Sequence, residues 1–110
     1  MIATIWQYRV PLAYTHLFER TYGPAGDWAA LFARISGYRG TELLKIDDER
    51  NAYLSIDRWD DEAAYRTAMQ CLEWDRAMLD DKCDDMTSEE TWLGVHVCVD
   101  CETPVEHIVM

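Results

Sequence analysis

The sequence predicts an α+β domain on a single four-stranded antiparallel sheet. Three observations carry this. Four segments, Ile2–Val10, Tyr38–Ile46, Ala52–Trp59 and Thr91–Val99, are rich in β-branched and aromatic residues. The long gaps after the first and third carry apolar residues at helical spacing. A short polar stretch, Asp47-Asp48-Glu49-Arg50-Asn51, joins the second and third. The order strand, helix, strand, strand, helix, strand is the split βαβ arrangement.

Pro11 ends the first strand. Ala13 to Tyr22 reads as a first helical segment with Leu17 and Phe18 inward, and Gly23-Pro24-Ala25-Gly26 breaks it. Asp27 is placed to cap a second segment, whose Trp28, Leu31, Phe32 and Ile35 share one face. Gly37 suits the position just past that helix. Asp60 caps the next helix, and Asp61 and Glu62 suit the dipole in its first turn. That helix runs to about Asp85, with a kink near Leu72 to Trp74. In the last strand Leu93, Val95, Val97 and Val99 alternate as an apolar face. Residues 1–100 form the domain and residues 101–110 a polar tail.

One domain of 110 residues buries about two thirds of its extended surface, enough for a real core. The formal net charge of -11 repels phosphate backbones and anionic lipids, which argues against nucleic acid and membrane surfaces as partners. The cluster Asp80-Asp81-Lys82-Cys83-Asp84-Asp85 lacks the central Gly and distal Glu of a calcium loop, so it reads as a solvated face. There is no signal-like start and no apolar run of membrane-spanning length, so the expected location is the cytoplasm. Cys71, Cys83, Cys98 and Cys101 are then expected as reduced thiols. His96, Cys98 and Cys101 resemble a metal or redox motif, but the pair ends a strand instead of opening a helix. No metal is expected.

Strand parity places Trp6, Tyr8, Tyr53, Ser55, Asp57 and Trp59 on one sheet face. Singly each aromatic reads as core. As a group, with polar tips on Trp6, Tyr8, Tyr53 and Trp59, they read as a pocket for a planar aromatic molecule. The opposite face is apolar too, through Ile5, Leu54 and Ile56. Two helices cover only one face of a sheet, so a second copy of the chain is expected over the other.

Three runs carry a resemblance: Tyr22-Gly23-Pro24 with Gly26, Trp28, Ala29, Leu31 and Phe32; Gly37-Tyr38-Arg39-Gly40-Thr41-Glu42-Leu43-Leu44; and Ile56-Asp57-Arg58-Trp59. Their order and spacing resemble the antibiotic-biosynthesis-monooxygenase family over Met1 to Val97. The resemblance implies a ferredoxin-like chain in a homodimeric α+β barrel, with a cavity under the helices and Trp59 at a recurring pocket position. Trp28, Phe32, Tyr65 and Met69 then supply its helical wall. Haem-degrading relatives use an Asn on strand one and a His on the second helix. Tyr8 and Met78 fall at those positions here, so no haem is expected, nor any other cofactor. The implied activity is a small monooxygenase acting on an aromatic or polyketide-type molecule without metal or flavin. The expected catalytic residues are Trp59, with Asp57 and His96 as proton acceptors. Trp6, Tyr8, Trp28, Phe32, Tyr53, Tyr65 and Met69 are the expected substrate contacts. The alternative is a non-catalytic small-molecule binding module on the same fold.

Overall fold

The computed structural model describes residues 1–47 and 51–99. Strands β1 (Ile2–Arg9), β2 (Tyr38–Asp47), β3 (Ala52–Trp59) and β4 (Glu89–Val97) form one sheet in the order β2-β3-β1-β4, with every neighbour antiparallel. The chain is thus an α+β domain of ferredoxin-like topology. The hairpin tip at residues 48–50 and the tail at 101–110 lie outside the described residues. So does Cys101, and with it the second half of the Cys-x-x-Cys motif.

The helices lie on one face. A 3-10 turn, Leu12–Tyr14, leads into α1 (Thr15–Tyr22), which buries Phe18, Thr21 and Tyr22. Leu17, expected to point inward, is exposed. α2 is only Asp27–Phe32. Its N-cap is Gly26, so Asp27 sits in the first turn, where its charge suits the dipole, and does not cap. The third helical stretch is two helices, α3 (Glu62–Cys71) and α4 (Glu73–Lys82), broken at Leu72. Its cap is Asp61, which accepts from the Ala64 N–H at 2.9 Å. Asp60, the expected cap, forms a two-pronged ion pair with Arg39 instead. Gly37 lies against α3: a Cβ there would sit 2.3 Å from Ala64 Cβ. Close packing, not helix termination, therefore requires glycine at this position.

Strands β1 and β3 pair without interruption, so their side chains alternate as the sequence predicts. Ile2, Thr4, Trp6 and Tyr8 share the helix-covered face with Tyr53, Ser55, Asp57 and Trp59. The outer strands do not keep step. In β2, Tyr38 pairs with Trp59, Gly40 with Arg58 and Thr41 with Asp57, so Arg39 is an extra residue. In β4, Gly94 pairs with Ile5 and Trp92 with Trp6, so Leu93 is extra. Gly94 adopts a φ of 94°, a left-handed conformation that favours glycine. This bulge splits the apolar face expected for β4. Trp92 joins Trp6 on the helix side, and so do Val95 and Val97 by their pairing with Thr4 and Ile2.

Two buried clusters fill the space between sheet and helices. One gathers Tyr8, Val10, Phe18, Tyr22, Tyr53, Cys83 and Met86 under α1. The other gathers Ile2, Leu31, Phe32, Trp59, Ala68 and Leu72 under α2 and α3. The outer sheet face carries half-buried Ile5, Leu54 and Ile56 and exposed Leu44, flanked by the Arg58–Glu42 ion pair at 3.1 Å.

Candidate functional site

Between the clusters lies a cavity of about 710 Å³. The sheet supplies its floor: Thr4, Trp6 and Tyr8 from β1, Ser55, Asp57 and Trp59 from β3, Glu90 and Trp92 from β4. Tyr22 of α1, Trp28 and Phe32 of α2, and Tyr65 and Met69 of α3 wall it in. Glu73, Arg76, Ala77 and Asp80 of α4 complete the rim. The size suits a drug-sized or tricyclic ligand.

The aromatic walls brace one another. Trp6 meets Trp92 at 5.1 Å between ring centroids, and Tyr65 stacks on Trp92 at 6.4 Å and 13°. Trp59 contacts Phe32, Tyr38 and Tyr65 edge-on at 5.2, 5.4 and 5.7 Å. Its indole N–H donates to Thr4 Oγ1 at 3.1 Å, and the residue is 0% exposed. Trp59 is therefore packed core that shows one edge to the cavity. Its single donor is already used.

Asp57 is the buried acid of the floor. Its neighbour across the strand, Thr41, donates to Oδ1 at 2.5 Å. Burial pushes the Asp57 carboxyl up to about 6, and the Thr41 hydrogen bond offsets part of that rise. Oδ2 accepts no hydrogen bond from any described residue. Asp57 is thus a buried carboxyl raised toward the neutral range on the floor of an aromatic-walled cavity.

Burial moves the phenols in the same direction. Burial, reinforced by Tyr22 and nearby carboxylates, pushes Tyr8 well above its ordinary value. Burial also raises Tyr22 and Tyr65, with Arg76 offsetting the latter. All three stay protonated at neutral pH and serve as donors. The hydroxyls of Tyr8 and Tyr65 hydrogen-bond no described residue. Arg76 donates through Nη2 to the Met69 carbonyl at 2.7 Å, while its buried Nε has no partner among the described residues.

Of the residues expected at the site, Asp57, Trp59, Trp6, Tyr8, Trp28, Phe32, Tyr65 and Met69 line this cavity, and two do not. Tyr53 shares their sheet face but lies beneath α1. Its ring packs on Phe18 at 4.8 Å, and its hydroxyl donates to Glu19 Oε2 at 2.6 Å. His96 pairs with Ala3, on the face away from the helices, and its Nε2 meets the Leu93 carbonyl at 2.6 Å. It cannot reach the cavity of its own chain. Met78, at the position of the haem-degrading relatives' His, is 60% exposed and outside the cavity wall. Sequence reasoning missed Tyr22, Arg76 and Trp92. For Trp92 the signal was Gly94, which marks the bulge. The described residues contain no group of three or more His, Cys, Asp and Glu placed to hold a metal ion. No described helix is long and apolar enough to cross a membrane.

Fold and cavity together define a ferredoxin-like domain with an aromatic-walled cavity between sheet and helices. A sequence profile described as antibiotic biosynthesis monooxygenase matches residues 1–78, and the chain belongs to that family. No curated protein matches the sequence. Among solved structures it is similar to SnoaB, a cofactor-independent oxygenase from Streptomyces nogalater. The identity is 24%, 89% of this chain and 92% of SnoaB are covered, and the TM-score is 0.62. It is also similar to a dimeric ferredoxin-like protein from an uncultured marine organism, with 13% identity, 89% and 93% coverage and TM-score 0.65. A third is a mutant of MhuD with two manganese protoporphyrin IX bound per active site, at 15% identity, 90% and 95% coverage and TM-score 0.66. At these identities the likeness shows the fold.

Proposed function

We propose that the protein is a monooxygenase for an aromatic or polyketide-type molecule and uses neither metal nor flavin. The observation that carries this is a buried carboxylate, Asp57, at the floor of an aromatic cavity. The substrate stacks between Trp6, Trp92 and Tyr65 on one side and Phe32 and Trp28 on the other. Asp57 takes its phenolic or enolic proton on Oδ2. The resulting anion is electron-rich enough to reduce oxygen itself. One oxygen atom becomes a ring carbonyl, two hydrogens leave the substrate carbon, and the second oxygen atom departs as water. Protonated Tyr8 and Tyr65 supply donors for the anion, and the walls keep bulk water from it.

Magnitudes narrow the substrate. A simple phenol titrates near 10, about four pH units above Asp57, so full proton transfer would cost ~5 kcal/mol without help. The tyrosine donors and Arg76 make up part of this. The substrate should therefore be more acidic than phenol, as an enol or phenol conjugated to a separate carbonyl is. The relationship to SnoaB, a cofactor-independent oxygenase, supports the same reading.

One observation favours a second reading. Glu73, Asp80 and Glu90 stand with Asp57 around the cavity against one cation, Arg76. That field opposes an anionic intermediate and suits a neutral ligand bound without turnover. Oxygen uptake with anthrone-type phenols decides: consumption at one oxygen per substrate supports the monooxygenase, and saturable binding without consumption supports the binding module. We further propose that the outer sheet face, with Ile5, Leu54 and Ile56, packs against a second copy of the chain.

A further inference from the structure

Asp57 is held from behind by the Thr41 hydroxyl, which is itself bonded to Tyr38, and neither residue lines the cavity. Thr41 and Tyr38 stand on β2, the edge strand. Three residues apart, they would face opposite ways in a regular strand. The bulge at Arg39 cancels that mismatch, so Tyr38 faces Trp59 and Thr41 faces Asp57 on the helix side. Gly40 makes the bulge possible with a φ of 119°. A Cβ there would meet nothing within 4 Å, so the backbone angle, not space, calls for glycine.

The hydroxyls form a directed chain. An ionised carboxylate only accepts, so Thr41 donates to Asp57 Oδ1. Its oxygen is then the acceptor for the Tyr38 hydroxyl, with which it makes a short hydrogen bond. Burial raises the Tyr38 phenol, so it remains a donor through neutral pH. Each donor polarises the next, which strengthens the bond that reaches the carboxylate.

We propose that Thr41 and Tyr38 are positioning residues for Asp57: their hydroxyl chain anchors Oδ1 to the sheet edge, presents Oδ2 to the cavity, and stabilises the ionised form. This rests on the assignment of Asp57 as the proton acceptor. Other titratable groups face the same carboxylate or share its cavity: Tyr8 from β1, Tyr22 from α1, Tyr65 from α3, Glu73, Arg76 and Asp80 from α4, and Glu90 from β4. None of them hydrogen-bonds Asp57 in the described residues, and Thr41 does.

The test reads the carboxyl directly. Label aspartate carboxyl carbons with 13C, assign the Asp57 signal by its loss in Asp57→Asn, and titrate by NMR. Thr41→Val keeps the β-branched shape and deletes the hydroxyl, and its Asp57 midpoint should lie at least about half a pH unit above wild type. Thr41→Ser should restore the wild-type midpoint, and Tyr38→Phe should raise it by less than Thr41→Val. If valine disturbs the strand, judged by circular dichroism, Thr41→Ala serves instead. An unchanged or lowered midpoint on loss of the hydroxyl, or a serine variant that behaves like valine, overturns the proposal. If wild type turns over an anthrone, the acid limb of its pH profile should move with the NMR midpoint. No oxygen uptake with the midpoint shifts intact would defeat the monooxygenase reading and leave the positioning role standing. Uptake with unshifted midpoints would do the reverse.

Discussion

Asp57→Asn should make the protein more stable at neutral pH, in a way that depends on pH. The carboxyl titrates near 3.8 in the unfolded chain and at about 6 in the folded one. Between those values the folded state holds a proton that the unfolded state has lost. The stabilisation linked to Asp57 is therefore fully present below pH ~4 and is lost as pH rises through ~6. Two pH units at 1.36 kcal/mol each make the loss ~3 kcal/mol. Asn is nearly isosteric and cannot ionise, so it escapes this loss. Urea denaturation of both proteins from pH 4 to 8 measures it. The stability difference between variant and wild type should swing by ~3 kcal/mol toward the variant across that range. With a urea slope of about 1–3 kcal/mol/M, that is a relative midpoint shift of ~1–3 M. Other carboxylates titrate in the same window, but they cancel in the difference. Curves that stay parallel within about 1 kcal/mol would refute the claim that Asp57 is a buried, uncompensated acid.

Trp59→Ala should cost ~3–5 kcal/mol by chemical denaturation, because the residue is fully buried, touches three rings and hydrogen-bonds Thr4. A loss below about 1 kcal/mol would show that the side chain is not core. Gly37→Ala should destabilise by ~1–3 kcal/mol, since its methyl would strike Ala64, and Ala64→Gly should recover part of that loss in the double variant. Light scattering at micromolar concentration should return twice the 12.8 kDa chain mass, and a monomer mass would leave the outer sheet face without its proposed cover.

The sequence made β1 and β3 legible because neither contains a bulge. Parity alone then placed Trp6, Tyr8, Asp57 and Trp59 on the helix side, where the structure has them. Parity does not carry through β2 and β4, where an extra residue at Arg39 and another at Leu93 reverse the alternation. Gly40 and Gly94 were the visible marks of those reversals, and alternation counted without Gly94 separates Trp92 from Val95 and Val97, whose face it shares. Parity also gives a face but no position along it. Tyr53 has the parity of Trp59, yet it sits six residues away along β3, under α1, and becomes core. Arg76 was illegible for another reason. The break at Leu72 resets the helical phase, so the face that α4 turns inward cannot be extrapolated from α3.

Stability alone does not explain residue 57. The position is 7% exposed on the floor of an aromatic-walled cavity, and a neutral side chain there would spare the fold ~3 kcal/mol at neutral pH. Set against the 5–15 kcal/mol that holds a domain of this size together, that is a large cost for one carboxylate. No described cation pairs with it, whereas exposed Asp60 is held below its ordinary value by Arg39. Instead, two hydroxyls carried into place by a bulge lower the cost without removing it. A salt bridge would have held Asp57 as an anion, and an apolar wall without Thr41 would have raised its carboxyl further. The arrangement in between leaves a group that can gain and lose a proton near neutral pH, inside a cavity large enough for a tricyclic ligand. Groups tuned in this way occur chiefly where chemistry is done. The D57N titration and the oxygen-uptake assay therefore address one claim from two sides. The first asks whether the fold bears the cost of an ionisable group, and the second asks what that group is for.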